Sequence, residues 1–335
     1  MSRPAQVTGR RGSGAAPRRA AALQQDLPVL VLTGPTGAGK TDWALHLAEH
    51  APVEIVSVDS ALVYRGLDIG TAKPAQAVRL RIPHHLIDIC EPTESYSAGR
   101  FVADALASIR AIHARRRVPL LVGGTMLYLR ALLAGLAVLP QAAPELRARL
   151  DARAARYGWA SLHAQLGALD PQAAARIAPN DRQRIQRALE VCLSTGRPIS
   201  ELQRATSSAL AGAPVRYWIL APRERALLHA RLTRRFADMM AAGFLEEVRS
   251  LRRRGDLTPD HPAMRAVGYR QLWAHLAGAY GLDEAVQRGI AATRQLAKRQ
   301  LTWMRGERSG ERLDPDTGEL SWIRDICNEL GSLGL

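Results

Sequence analysis

Apolar residues in the first half of the chain form short continuous runs that are separated by amphipathic stretches. The apolar runs near 29–33, 53–58 and 118–122 predict strands that are buried on both faces of a sheet. The amphipathic stretches near 40–50 and 98–116 predict helices between these strands. Strands that alternate with helices indicate an α/β fold, with parallel strands and right-handed crossovers.

The strand pattern disappears after residue 140 and returns at Tyr217-Trp218-Ile219-Leu220. Residues 141–212 predict helices only, which is typical of an inserted all-helical domain or lid. The chain therefore divides into a P-loop α/β core, residues 27–140 and 213–306, and this helical insertion. Residues 307–335 show no informative pattern and are expected to form a C-terminal tail.

Helices are predicted for most of the returning part of the core. Apolar residues recur every three or four positions between Leu228 and Leu251, which predicts a helical face buried in the core. A final helix is predicted from Asp283 to Arg305, with its cations displayed away from its apolar side. In the insertion, Asn180 is expected to cap a helix that buries Ile185.

A glycine-rich segment joins the first strand to the first helix. Residues 34–41 read Gly-Pro-Thr-Gly-Ala-Gly-Lys-Thr, which fits the pattern G-x-x-x-x-G-K-[ST] in the required context of strand, loop and helix. The backbone N–H groups of such a loop bind phosphate, Lys40 can reach the terminal phosphate, and Thr41 can hold Mg²⁺. The motif does not decide whether the polyphosphate is ATP, or whether it donates phosphate or leaves.

Two further motifs end strands at the same edge of the predicted sheet. Asp59 follows the second strand and Gly123-Gly124-Thr125 ends the third, at the rim where open α/β sheets bind ligands. Asp59 can be a Mg²⁺ ligand, a general base or a cap for the next segment. The lack of an acid after the third strand is unusual for an ATPase. Lys73 in the following loop is either a substrate contact or a solvated lysine.

The charge of the chain points to a polyanionic partner. Lysine and arginine total 46 against 31 acids, which gives a net charge of +15, and the pI is about 10.8. A general arginine-rich composition is the alternative explanation. Residues 1–26 are arginine-rich and predict a disordered basic tail, although an organellar transit peptide has a similar composition. We expect a cytoplasmic protein.

Cysteine and histidine give no sign of a disulfide or metal site. Cys90, Cys192 and Cys327 are far apart and form no C-x-x-C pair. His84-His85 is expected in a turn at the surface. The longest apolar run, from Ala131 to Pro140, is too short to span a bilayer, so no membrane partner is expected.

Three clusters combine cations with groups that bind nucleic acid. Residues 182–187 place Gln183 and Arg187 four apart on a helix, and residues 265–270 and 298–305 each combine cations with an aromatic ring. Such mixtures bind a phosphate backbone and stack on an unpaired base. A purely solvated face is the alternative for the first cluster.

Two functions fit these observations before any family is considered. A nucleoside or small-molecule kinase explains the loop and Asp59 but leaves the three cationic clusters without a role. A nucleotide-gated RNA-binding protein explains the charge but leaves Asp59 without a role.

The ordered set of motifs from about residue 29 to 306 strongly resembles the bacterial tRNA dimethylallyltransferase family, also called tRNA isopentenyltransferase. That family moves a dimethylallyl group from its diphosphate to N6 of the adenosine at tRNA position 37, using Mg²⁺. The zinc finger of some eukaryotic relatives has no Cys/His counterpart in this sequence. The resemblance is carried by Gly34 to Thr41, Val58 to Tyr64, Asp68 to Pro74, Pro83 to Leu86, Leu121 to Tyr128 and Arg294 to Gln300.

The resemblance implies a role for each matching position. Asp59 would be the general base, Thr125 would assist at the reaction centre, and Thr41 would hold Mg²⁺. The residues that would bind the diphosphate of dimethylallyl diphosphate are Gly34, Thr36, Gly37, Ala38, Gly39, Lys40, Thr41 and Arg235.

The resemblance also implies a tRNA-binding surface around the anticodon stem-loop, on a protein expected to be a monomer. The residues that would contact tRNA are Asp59, Ser60, Ala61, Leu62, Thr125, Arg147, Gln183, Arg184, Ile185, Gln186, Arg187, Arg265, Ala266, Val267, Gly268, Tyr269, Arg270, Lys298, Arg299, Gln300, Leu301, Thr302, Trp303, Met304 and Arg305.

Overall fold

The computed structural model describes most of the chain in six segments, which are residues 27–137, 139–140, 143–204, 207–210, 212–317 and 321–335. The basic tail expected over residues 1–26 lies outside the described residues. Among the helices that are described, none combines the length and the apolar character that a membrane span requires.

A parallel sheet forms the centre of the molecule. Its described strands are β1 (Val29–Thr33), β2 (Val53–Val58), β3 (His84–His85), β4 (Val118–Gly123), β5 (Val215–Leu220) and β6 (Glu311–Leu313). They lie in the order β3-β2-β4-β1-β5-β6, and every neighbouring pair is parallel. The predicted α/β class is confirmed, and the carboxyl ends of all six strands lie on one rim.

Helices flank the sheet and form the insertion. In chain order the described helices are α1 (Lys40–His50), α2 (Gln76–Arg81), α3 (Ala98–Ala114), α4 (Met126–Leu133), α5 (Pro144–Leu169), α6 (Pro171–Arg176), α7 (Arg182–Thr195), α8 (Ile199–Leu202), α9 (Arg225–Ala241), α10 (Phe244–Arg253), α11 (Tyr269–Leu276), α12 (Leu282–Arg305) and α13 (Ser321–Ser332), with a 3₁₀ turn at Pro262–Arg265.

Alternate residues of the central strand pack on opposite faces of the sheet. Val29 and Val31 belong to the core beneath α3, together with Phe101. Leu30 and Leu32 belong to the core beneath α1, together with Leu47. Because side chains alternate along a strand, a continuous apolar run is what a strand covered on both faces requires.

The insertion, from α5 to α8, has a hydrophobic core of its own. Leu150 and Leu162 of α5 pack with Ile185 and Leu189 of α7 in a cluster separate from those of the sheet. Gly158 interrupts α5 with φ of 76° and ψ of 161°, a conformation that glycine adopts readily. The predicted inserted all-helical domain is confirmed.

Two predicted helix boundaries were wrong for local reasons. The helix expected to reach residue 116 ends at Ala114, because Arg116 has a left-handed φ of 57°. The cap of α7 is Asp181 instead of Asn180, since Asp181 Oδ1 accepts a hydrogen bond of 3.2 Å from the Arg184 N–H.

His84 and His85 do not form the exposed turn that the sequence predicts. They form the edge strand β3, which pairs with β2, and both are half-buried. His85 Nε2 lies 2.7 Å from an oxygen of Glu54, whose side chain is 4% exposed. A buried carboxylate needs polar partners, so the ring of His85 is held at the sheet.

Residues 307–335, for which the sequence predicts no element, add β6 to the edge of the sheet and α13 to the side of the sheet that α1 also covers. Trp322, Ile326 and Leu330 of α13 are buried in the core that also contains α1. Their spacing of four residues is a helical signal that sequence reasoning could have used. Strand β6 has only three residues and is largely exposed, which leaves no pattern to detect.

Candidate active site

The carboxyl ends of β1, β2 and β4 open into one cavity of about 610 Å³. The phosphate loop, Asp59 and Thr125 all line this cavity, although they are far apart in the sequence. The three rim motifs therefore lie together, as the parallel sheet requires. Residues from α9 and α12 also line the cavity.

The phosphate loop has the backbone shape that anion binding requires. Gly37 and Gly39 have φ of 78° and 81°, and Gly39 immediately precedes α1. Residues with a side chain rarely adopt this conformation, so glycine is needed to turn successive N–H groups inward. The N-terminus of α1 adds its positive dipole end to the same concavity.

Lys40 lies across the phosphate loop. Its ammonium donates a hydrogen bond of 2.9 Å to the Pro35 carbonyl. Burial and the charge of Arg235 lower the pKa of Lys40 to about 8, although the carboxylate of Asp59 acts in the opposite direction. An incoming polyanion would favour the charged ammonium.

Arg235 extends from α9 into the cavity. It is half-buried, and within the described residues its guanidinium makes no hydrogen bond or ion pair. Burial lowers the pKa of Arg235, against the opposing effect of the Asp59 and Asp42 charges. A desolvated cation without a partner indicates a site for an anionic ligand.

Asp59 divides its two oxygens between structure and cavity. Oδ1 accepts hydrogen bonds from the N–H groups of Ala61 at 2.8 Å and Leu62 at 3.3 Å, which fix the turn after β2. In the described part of the chain Oδ2 makes no hydrogen bond. The capping role and a chemical role are thus both open to this one carboxylate.

Thr125 contacts the segment that begins with Asp59. Its hydroxyl oxygen accepts a hydrogen bond of 3.1 Å from the Ser60 N–H, and its own N–H donates to the Val58 carbonyl. Gly123 permits this approach, because a Cβ there would lie 2.0 Å from the Val58 oxygen. The loops that follow β2 and β4 are therefore joined at the cavity.

The cationic clusters near 265–270 and 298–305 are only partly at the surface. Arg265, Ala266, Val267, Arg299, Gln300 and Trp303 line the cavity, and Arg270, Lys298, Thr302 and Arg305 are exposed. Leu301 packs beside the buried pair Leu228 and Leu232. We expected every residue of these clusters to contact tRNA, and this expectation needs correction for three residues. Gly268, Tyr269 and Met304 are buried.

Tyr269 stabilises the fold and does not provide an exposed ring that could stack on a base. Its ring is fully buried against Phe244, and its hydroxyl donates a hydrogen bond of 2.6 Å to Glu247. Burial and the Glu247 charge raise the pKa of Tyr269, so the hydroxyl keeps its proton. Glu247 also accepts hydrogen bonds from the N–H groups of residues 68, 69 and 70. No sequence signal connects Glu247 with a loop 177 residues away.

Lys73 is neither a substrate contact nor a solvated lysine, the two alternatives that the sequence suggests. Its side chain is 2% exposed, and its ammonium contacts Asp68 at 2.6 Å and Asp88 at 2.5 Å. It also donates to the Tyr64 carbonyl at 2.9 Å. Lys73 therefore holds the loop beside the cavity together, and its charge is used within the protein.

The expected tRNA residues of the insertion lie away from the cavity, which is lined by no described residue of the insertion. Gln183 and Arg184 are exposed on α7, and Gln186 donates to Asp151 at 3.0 Å. Ile185 is fully buried in the core of the insertion, so the expectation that its side chain contacts tRNA needs correction.

One buried carboxylate positions two arginines of the insertion. The Glu190 side chain is 2% exposed and pairs with Arg147 at 2.8 Å and Arg187 at 3.5 Å. Arg187 also donates to the Pro140 carbonyl at 3.1 Å. The guanidinium groups remain partly exposed, so they can contact an anion from a fixed position.

Comparison with known proteins identifies strong similarity over most of the chain. Residues 62–307 match the family model described as IPP transferase. The tRNA dimethylallyltransferase of Alkalilimnicola ehrlichii is 60% identical over 281 residues, 84% of this chain and 88% of that protein. The protein of the same name from Bordetella petrii is 58% identical over 84% of this chain and 90% of its own.

Solved structures give the same result. The tRNA isopentenylpyrophosphate transferase of Bacillus halodurans matches with a TM-score of 0.66 and 36% identity, over 92% of this chain and 96% of that one. A eukaryotic dimethylallyltransferase acting on tRNA matches with a TM-score of 0.73 and 27% identity, over 86% of this chain and 74% of that one.

Proposed function

Since this chain belongs to the tRNA dimethylallyltransferase family, it transfers a dimethylallyl group to a tRNA adenosine, and we propose the donor, the acceptor atom and the residues that act. The donor is dimethylallyl diphosphate. The acceptor is N6 of the adenosine at position 37, next to the anticodon, and the second product is diphosphate. The observation that carries this proposal is that the phosphate loop, Arg235 and Asp59 line one cavity.

The phosphate side of the cavity suits a leaving group. When the allylic C–O bond breaks, its electron pair goes to the diphosphate and positive charge develops on the carbon. Lys40, Arg235 and the N–H groups of residues 36–41 stabilise the negative charge that grows on the diphosphate. The free guanidinium of Arg235 and the lowered pKa of Lys40 both support an anionic occupant.

Mg²⁺ fits this site as a partner of the diphosphate. Thr41 is exposed at the start of α1, and within the described residues its hydroxyl makes no hydrogen bond. The same residues contain no group of three or more His, Cys, Asp or Glu side chains that could hold a metal. Mg²⁺ is usually held by one or two protein groups together with phosphate oxygens, so Thr41 and the diphosphate would hold it. The bound ion would neutralise charge on the diphosphate.

Asp59 is the general base of the proposed reaction. The exocyclic N6 is a poor nucleophile, because its lone pair is delocalised into the adenine ring. Oδ2 of Asp59 is free to accept the N6 proton as the N–C bond forms, and Oδ1 is held by the turn that follows β2. The Thr125 hydroxyl accepts a hydrogen bond of 3.1 Å from the Ser60 N–H. Thr125 assists by forming part of the wall of the pocket that receives the adenine.

The tRNA is held by two separate regions of the protein. Adenine must leave the anticodon-loop stack to reach Asp59, at a cost of about a few kcal/mol. Arg265, Arg299 and Trp303 line the cavity and can hold the displaced base and its backbone. Arg147 and Arg187 of the insertion can contact more distant phosphates. Because one chain supplies both regions, we propose that the enzyme is a monomer. We also propose that it is cytoplasmic.

The proposal is tested by weighing the acceptor after reaction. Purified protein is incubated with Mg²⁺, dimethylallyl diphosphate and a synthetic anticodon stem-loop that has adenosine at position 37. We expect mass spectrometry to show the gain of one dimethylallyl group, located on that nucleotide by fragmentation. A stem-loop with guanosine at position 37 is the matched control and should gain no mass.

Two outcomes would count against the proposed function. A mass gain that is unchanged by the substitution of guanosine would reject N6 of this adenosine as the acceptor. No mass gain with dimethylallyl diphosphate, together with ATP consumption in a parallel reaction, would favour the kinase instead.

A further inference from the structure

Gln300 joins two loops of the cavity by hydrogen bonds from both ends of its side-chain amide. Its Oε1 accepts a hydrogen bond of 2.8 Å from the Thr36 N–H in the phosphate loop. Its Nε2 donates a hydrogen bond of 2.9 Å to the Gly124 carbonyl after β4. In the reverse orientation the Nε2 donor would face the Thr36 N–H, and the Oε1 acceptor would face the Gly124 carbonyl. These two partners therefore fix the amide in one orientation.

The amide fills the gap between the two loops. A Cβ at Gly124 would lie 2.3 Å from Gln300 Nε2 and 3.1 Å from the Gly34 carbonyl oxygen. Gly124 is therefore packed closely by both the phosphate loop and Gln300. The strands themselves are paired up to Thr33 and Gly123, so this packing acts on the two loops that follow them.

The contacts of Gln300 extend to both halves of the proposed reaction. Thr36 belongs to the donor side, where the diphosphate binds. Gly124 is followed by Thr125, which accepts a hydrogen bond from Ser60 beside Asp59. A continuous series of contacts thus runs from the phosphate loop through Gln300 to the segment that carries the general base.

Gln300 also differs from its neighbours on α12 in where it points. Lys298, Arg299 and Arg305 are exposed, which suits contact with a polyanion. Gln300 is half-buried in the cavity, and both ends of its amide are occupied by the protein. The family resemblance places Gln300 among the tRNA contacts, whereas both of its hydrogen bonds here are made to loops of the cavity.

We propose that Gln300 is a positioning residue for the donor, which holds the phosphate loop at a fixed distance from the Gly124-Thr125 segment. This inference rests on the proposed function. Without the amide, the Thr36 N–H and the Gly124 carbonyl lose their common partner. The diphosphate then binds to a loop that is no longer aligned with the base, while the exposed cations of α12 remain available to tRNA.

The test compares Gln300→Met and Gln300→Glu with the same two changes at Gln295. Gln295 is exposed on α12, does not line the cavity, and makes no hydrogen bond within the described residues, so it is a matched control. Methionine keeps the length of glutamine and removes both hydrogen bonds. Glutamate keeps an acceptor for Thr36, loses the donor to Gly124 and adds a negative charge near the diphosphate.

We expect Gln300→Met to raise KM for dimethylallyl diphosphate by about tenfold, which corresponds to about one lost hydrogen bond. Gln300→Glu should raise it further, because the added charge repels the donor. The dissociation constant for tRNA, measured without donor, should stay within about twofold of wild type in both variants, and this result also shows that the variants are folded. The Gln295 variants should match wild type in both the donor KM and the tRNA dissociation constant.

A loss of tRNA affinity with an unchanged donor KM would overturn the inference and make Gln300 a tRNA contact. Unchanged donor KM and kcat in both Gln300 variants would overturn it as well. The wild-type reaction is measured first, because a wild-type enzyme that transfers no dimethylallyl group would reject the proposed function instead.

Discussion

Asp59 combines a structural and a chemical task because its two oxygens face different surroundings. Oδ1 holds the turn after β2, whereas Oδ2 makes no hydrogen bond in the described part of the chain, and Asp59 lines the same cavity as Lys40 and Arg235. A substitution that removes the whole side chain would therefore change the turn as well as the chemistry. The amide of asparagine separates the two, since it keeps an acceptor for the turn but cannot take up a proton at neutral pH.

We expect Asp59→Asn to lower kcat by about 10²- to 10⁴-fold, the usual contribution of a general base. The tRNA dissociation constant should change little, because the turn at residues 60–62 is kept. Single-turnover kinetics with saturating tRNA and donor measure the first effect, and filter binding measures the second. Asp283→Asn, at an exposed position on α12, is the control. A fully active Asp59→Asn enzyme would remove Asp59 from the role of base.

Lys40 makes donor binding sensitive to alkaline pH. Its pKa of about 8 in the free protein means that the ammonium is charged below this pH and loses its proton as the pH rises. KM for dimethylallyl diphosphate should therefore increase above about pH 8, while kcat at saturating donor should change less, because bound diphosphate favours the charged lysine. Initial rates from about pH 7 to 9.5 measure both quantities. In Lys40→Arg, which stays protonated over this range, the increase in KM should be absent; a wild-type KM that stays constant would contradict the prediction.

At the scale of single residues, the sequence predicts those that belong to a local motif. Lys40, Asp59 and Thr125 are recognisable because each follows a strand, and the parallel sheet brings them together. The exact partners of Gln300 could not be predicted, since they lie 264 and 176 residues away along the chain. The same holds for Glu247, whose partner Gly70 lies 177 residues away. Lys73 was misjudged for a related reason: one of its two acid partners, Asp88, lies fifteen residues away in another loop.

At the scale of elements, predictions were most accurate where burial is strongest. Strands β1, β2, β4 and β5 were predicted because they are covered on both faces and have continuous apolar runs. The short edge strands β3 and β6 were missed, since their pairing depends on a neighbouring strand more than on their own side chains. Helix α13 was missed although its apolar spacing is regular.

Trp322 should be the main anchor of α13. Its ring stacks on Trp43 of α1 with centroids 5.6 Å apart and contacts Trp218 of β5 at 5.0 Å. We expect Trp322→Ala to lower the free energy of unfolding by about 3–5 kcal/mol. No residue of α13 lines the cavity, so kcat of the folded enzyme should be unchanged. Denaturant unfolding and initial rates measure the two effects.

Leu333→Ala is the control for Trp322→Ala. Leu333 is 42% exposed just after α13, so its substitution should change the unfolding free energy by less than about 0.5 kcal/mol. If Trp322→Ala is as stable as wild type, then α13 does not contribute to the core, and the contacts with Trp43 and Trp218 carry no energy.

At the scale of the whole molecule, the positive charge is distributed over two bodies. The core carries cations on α12 and around residue 265, and the insertion carries Arg147, Arg184 and Arg187. The net charge of +15 indicates a polyanion from the sequence alone. The surface that meets it depends on which cations are already paired within the protein, and this follows from the tertiary structure.

The double variant Arg184→Ala with Arg187→Ala should weaken tRNA binding and reduce its dependence on salt. If both arginines contact phosphates, the slope of log K against log salt should decrease by about 1.4 to 1.8. Binding titrations from about 50 to 200 mM salt measure the slope. Arg249→Ala with Arg253→Ala removes the same charge from α10 and is the matched control. These arginines pair with Glu246, as those of α7 pair with Asp181 and Glu190, so the two double variants differ in the surface that they change. Equal slopes for the two double variants would exclude the α7 surface from tRNA binding.

The strand order has a consequence for synthesis on the ribosome. Of the described strands β1 is made first, and it lies between β4 and β5. Its phosphate loop is hydrogen-bonded to Gln300, 264 residues further along the chain. An emerging polypeptide thus possesses its anion-binding segment long before the partners that align it exist. We therefore expect this loop to be aligned only after residue 300 has left the exit tunnel, so a product truncated before that residue should bind the donor more weakly than the whole chain does.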